Sequence, residues 1–144
     1  PADRQRLQDI IATMKRLHDG GDFDGERDAD LDLHNAIGEA AHNLILMHTL
    51  RACYRLLSEG IFHHRRLIFD LPAAREKLLA QHEAIVAAIV AGDASAARRA
   101  AEDHIDYVAA SAADALLLQE RQHVATLRQI QRETQSVRET RGSK

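Results

Sequence analysis

The chain has 144 residues and a formal net charge of −3, a length at which one domain is the default and roughly 70% of the unfolded surface can be buried. Aromatic residues make up only 3%, Trp is absent, and seven Gly and two Pro supply few turns, which argues against a β-sandwich or barrel. The acidic balance and the scarcity of aromatics also exclude a basic nucleic-acid surface and a base-stacking platform.

Apolar spacing reads as helix almost throughout. Leu7, Ile10, Ile11, Met14 and Leu17 form one stripe, with Asp3 as its expected N-cap. The run Gly20-Gly21-Asp22-Phe23-Asp24-Gly25 breaks that helix. A second helix is expected from about Glu26 to His42, with a break at Asn43, and a third from there to about Ser58. Residues 60–71 read as a connector. Pro72 fits the first turn of a fourth helix that carries Leu78, Leu79, Ile85, Val86, Ile89 and Val90. Gly92 ends it and Asp93 caps a fifth, which is expected to bury Ala97, Ala101, Ile105, Val108, Ala112 and Leu116. Alanines concentrated in the last two helices permit close approach. The expected fold is all-α, an antiparallel bundle of about five to six helices over residues 1–120. Residues 121–144 read as a polar C-terminal extension, helical to about Ile130 and disordered from Arg138.

Nine His in so short a chain need a reason, since His is the commonest metal ligand. Three stand apart. His34 shares a line with Asp30, Ile37 and Ala41; His82 falls inside the stripe of Leu78, Ile85, Val86 and Ile89; His104 falls inside that of Ala97, Ala101, Ile105 and Val108. Each is a polar ring on the apolar face of a separate helix, and Asp30 lies one turn before His34. Buried imidazoles and a buried carboxylate need partners, and a shared divalent cation would satisfy all four; such a donor set suits Zn, Ni, Fe, Mn or Co. Each group taken singly also fits an ordinary hydrogen-bonded core histidine or a solvated helix face. His18 and His123 lie in polar surroundings, and His63 and His64 sit in a basic run with Arg65 and Arg66. His42 and His48 flank the break at Asn43, His48 being able to face the same cavity. Cys53, the single cysteine, reads as a buried thiol and fits a reducing, cytoplasmic setting. No apolar run approaches membrane-spanning length, and there is no signal-peptide pattern. There is no phosphate loop, nucleophile elbow or Glu-x-x-His pair.

The stretch from Asp30 through His34 to Asn43 resembles the D-x-x-F-H-x-x-(I/L)-x-x-A-x-x-N motif of the FCD domain, the effector-binding domain of the FadR branch of GntR transcription regulators. The block His82 to Asp93 is similar to that family's H-x-x-(I/L)-x-x-A-(I/L)-x-x-G-D, and Ala96-Ala97 through His104-Ile105 to its A-A-x-x-x-(M/A)-x-x-H-(I/L). The stretch His42 to Arg51 looks most like the branch that responds to lactate, pyruvate or glycolate. The resemblance implies one divalent ion per chain (Zn, Ni, Mn or Fe) held by Asp30, His34, His82 and His104. It further implies a small organic-acid effector, a homodimer, and operator DNA bound only through a separate winged-helix domain. A cation is expected to balance the acid's charge, with Arg51 and Arg55, one turn apart on the third helix, as candidates and Tyr54 as a hydroxyl donor.

Three departures are plain. Leu33 stands where the family has Phe, which touches packing and not ligation; the family's earlier helix with its E-x-R-x-x-(L/I)-E stretch is not found; and the winged-helix domain that would precede the effector domain is not in this sequence. The chain opens at Pro1 and reads as a fragment or processed form. A sensor is therefore expected and not an enzyme. A metal-dependent hydrolase or lyase at the same site, or a metal-free dimerisation module, are the alternatives. Ligating His must be neutral, so metal loss is expected below about pH 5–6.

Overall fold

The computed structural model describes residues 2–52 and 74–142, with side chains of 115, 119 and 133–142 left aside. The expected Tyr54 and Arg55 contacts lie outside the described residues. Five helices are present among the described residues and no strand. They are α1 (Ala2–Asp19), α2 (Phe23–Ala40), α3 (described over 44–52), α4 (Ala74–Ala91) and α5 (Ala94–Gly142).

The turns have local causes. Asp22, not Asp3, is a capping residue: its carboxylate accepts from Gly25 N at 3.0 Å and starts α2. Asp3 lies inside the first turn of α1 and its carboxylate reaches His42 Nε2 at 2.9 Å instead. Gly25 has no room for a side chain, because a Cβ there would come within 2.6 Å of Asp22 Oδ2 and 2.8 Å of Leu17 Cδ2. Asn43, read as a break, is the N-cap of α3, accepting from Leu46 N at 3.0 Å after His42 takes a φ of 48°. The α4–α5 joint is as expected: Gly92 adopts a φ of +76°, and Asp93 accepts from Ala96 N at 2.8 Å.

The core sits between α1, α2 and α4. Leu7, Met14, Ala29, Leu33, Ala36 and Val86 are buried there, flanked by Ile10, Ile11, Leu17 and Ile89. Leu33 is 0% exposed, so the position where the resemblance expects Phe is filled by a smaller side chain. A second cluster joins α4 to α5 through Ala74, Leu78, Tyr107, Val108 and Ala112.

The stripe expected on α5 holds in part. Ala97, Ala101, Val108 and Ala112 are partly buried, but Ile105 is 60% exposed and Leu116 is 40% exposed, whereas His104 and Ser111 are buried. The ring of His104, not the neighbouring Ile105, takes the inward place. Beyond the family-like part, α5 continues past Ile130 to Gly142; residues 143–144 lie outside the described residues.

Close backbone packing joins α1 to α2, α1 to α4 and α4 to α5, while no Cα of α2 comes within 8 Å of one in α4 or α5. The space between these helices is spanned by side chains, and the spanning side chains are polar.

Candidate metal centre in the bundle

His34 from α2, His82 from α4 and His104 from α5 meet in that space. One ligating atom from each lies within 4.8 Å of the others. Their ring centroids are 5.3 Å apart for His34–His82, 5.6 Å for His34–His104 and 4.5 Å for His82–His104. His82 is 1% and His104 is 4% exposed. Asp30 joins them from α2: its Oδ1 is 3.1 Å from His82 Nε2 and 3.6 Å from His34 Nε2, and the residue is 5% exposed. All four residues singled out by spacing thus converge.

Three imidazole nitrogens beside a buried carboxylate suit a divalent first-row ion. At a bond length of about 2.0–2.1 Å, donors sharing one ion lie at most about 4.2 Å apart, so the observed cluster needs only a slight closing. The rings have a supporting partner that spacing did not reveal. Gln81 Oε1 lies 3.3 Å from His104 Nδ1, and Gln81 Nε2 donates to the Asp103 carbonyl at 3.4 Å. A His104 that donates from Nδ1 keeps Nε2 as its lone-pair nitrogen, the arrangement a ligating His needs.

A second polar group borders the cluster. Arg75 makes a forked contact with the buried carboxylate of Glu26; its Nε donates to Glu26 Oε2 at 2.9 Å, and its other nitrogen bonds Glu26 Oε1. His18 Nδ1 is 3.2 Å from the same Glu26 Oε1. A small cavity of about 10 Å³ is lined by His18, Glu26, Arg75 and also by Asp30 and His82. The signal was in the sequence: Glu26, Asp30 and His34 repeat at four-residue steps, and Arg75 lies two turns before His82.

The remaining candidates go elsewhere. Arg51 is on the surface, donating to Glu39 Oε1 at 2.9 Å, and Arg6 bonds the other Glu39 oxygen. These two guanidinium groups, Arg6 foremost, hold the Glu39 carboxyl below its ordinary value. His48 is exposed and does not face the cluster. Among the described residues no helix is long and apolar enough to cross a membrane.

The sequence pattern of the FCD domain family matches residues 1–107. The chain belongs to the FCD domain family. It is 35% identical over 109 residues to an Escherichia coli (strain K12) protein named as a regulatory protein of an L-lactate dehydrogenase operon, covering 75% of this chain and 40% of that one. The Shigella flexneri protein of the same name matches equally. The HTH-type transcriptional regulator LutR of Bacillus subtilis (strain 168) is 31% identical over 108 residues, 74% of this chain and 48% of LutR. The chain spans less than half the length of these relatives. Its likeness is thus to regulatory proteins, and its three-His cluster can coordinate a metal ion.

Proposed function

We propose that this FCD domain senses a small organic acid through a divalent ion held by Asp30, His34, His82 and His104. The observation that carries the reading is the convergence of three imidazoles from three helices, with Asp30 against two of them, in a space the helix backbones leave open. A bound ion would offer its remaining coordination positions to the oxygens of a carboxylate. The name of the Escherichia coli and Shigella flexneri relatives favours lactate or a similar acid as that carboxylate.

The protein's own groups do the rest. Gln81 orients His104. Asp30 supplies negative charge beside His82 and His34. A cation is needed for the acid. Arg75, which lines the cavity shared with Asp30 and His82, is a described candidate, whereas Arg51 is engaged by Glu39 at the surface; Tyr54 and Arg55 lie outside the described residues. Because the ligand set is spread over α2, α4 and α5, binding changes the packing of those helices. In a full-length homodimeric regulator this would alter DNA affinity through a separate winged-helix domain, with a coupling of about 1–3 kcal/mol.

Thermal unfolding tests the reading. The chain is stripped with EDTA, reloaded with Zn or Ni, and then offered lactate, pyruvate, glycolate and other small acids. A metal-dependent rise in Tm followed by a further acid-dependent rise is expected. An acid effect that persists without metal would contradict a metal-mediated sensor.

A further inference from the structure

The family match ends at residue 107, yet the helix runs to Gly142. Of α1, α2 and α4, α5 packs closely on α4, through Tyr107, Val108 and Ala112. Beyond Ala112 its large apolar side chains are exposed. In proteins most helical stability comes from packing of an apolar face.

The segment carries large apolar side chains in a patterned row. Leu116 is 40% exposed, Leu117 51%, Val124 45%, Leu127 51% and Ile130 53%; Leu118, 44% exposed, lies off the row. Leu116, Glu120, His123, Leu127 and Ile130 follow one another at steps of four, three, four and three. That is the spacing of a helix seam that meets another helix, and Leu117 and Val124 widen the seam on one side.

We propose that this extension pairs with the same segment of a second copy, antiparallel, in the register that sets Leu116 of each copy against Leu127 of the other. The polar pair of the seam chooses the direction, a carboxylate repelling its own copy but accepting from an imidazole N–H. In a parallel pair Glu120 would face Glu120 and His123 would face His123. In the antiparallel register Glu120 of one copy faces His123 of the other, twice by symmetry, and Ala113 faces Ile130. The seam is thus self-complementary in one direction only. Five half-exposed large apolar side chains per copy close on one another, toward the roughly 1,000 Å² that a specific interface needs.

Dipolar electron spin resonance tests both the pairing and its direction, which matters because a dimer could also form through another face. In a Cys53→Ser chain, single cysteines replacing Arg121, Arg128 or Arg132 carry a nitroxide label. Antiparallel pairing offsets the two labels along the helix axis by about 1.5, 20 and 31 Å respectively, at about 1.5 Å per residue. The label at 121 should couple strongly and the other two at rising distances. Leu116→Glu alone and Leu127→Lys alone should abolish the coupling at 121, and the two together should restore it. Equal distances at all three positions would overturn the direction, and no coupling at 121 would overturn the pairing itself.

Discussion

Asp30 Oδ1 stands 3.1 Å from His82 Nε2, although the two belong to helices whose backbones do not pack closely. Each is nearly devoid of solvent, so each depends on the other and on the neighbouring rings to remain polar inside the bundle. Asp30→Asn keeps the shape and removes the charge. Divalent-metal affinity should fall by at least about tenfold while the helical circular dichroism is kept. Unchanged affinity in a competition titration with a chelating dye would remove Asp30 from the ligand set.

The Arg75–Glu26 pair is a second tie between α2 and α4. Arg75→Met leaves the Glu26 carboxylate buried with only His18 beside it. Since the Arg75 side chain is 20% exposed, the cost should fall somewhat below that of a fully buried pair, at about 2–4 kcal/mol in urea unfolding. Adding Glu26→Leu to the same chain should recover most of the loss, because no charge is then left buried.

Spacing made most of this site legible and the reason is geometric. Helix periodicity fixes which residues share a face, so Asp30, His34, His82 and His104 stood out as polar groups on apolar stripes. It does not fix which of two neighbouring stripes turns inward. On α5 the apolar reading placed Ile105 and Leu116 in the core alongside His104, but the inward line takes His104 and leaves both at the surface. Gln81 was invisible to the pattern because its part depends on reaching across to α5. Glu26 and Arg75 were legible in principle, by the same four-residue and seven-residue steps that marked the ligands. The caps divided similarly: Asp93 was readable from the Gly-Asp pair, whereas the cap of α2 depended on Asp22 folding back onto Gly25.

The joint between α4 and α5 places His82 and His104 on facing helices, and Asp93 secures it by accepting from Ala96 N. Asp93→Ala should lower stability by about 1 kcal/mol. Thermal or chemical unfolding measures this directly, and no change would show that α5 begins without the cap.

Glu39 gives the fold a predictable acid dependence. Its pKa is lowered by Arg6 and then Arg51 from an ordinary value of 4.5. A carboxyl depressed in the folded state adds stability above its unfolded value, and that stability is lost as pH falls through the lower folded value. Glu39→Gln should therefore be slightly less stable than the parent at pH 7, by a small margin for so exposed a group. The two chains should converge as pH drops below about 4.5. Unfolding curves at pH 7, 5 and 3 check the sign.

The most direct measurement for the metal centre is metal content per chain. The chain is stripped, reloaded with a divalent ion, desalted and assayed by mass spectrometry of the elements, beside His82→Ala treated alike. The account predicts about one ion per chain for the parent and loss of that ion in the variant, since His82 is the most buried of the three rings and lies 3.1 Å from Asp30 Oδ1. A parent chain that stays well below one ion after reloading, or a variant that holds as much as the parent, would contradict it.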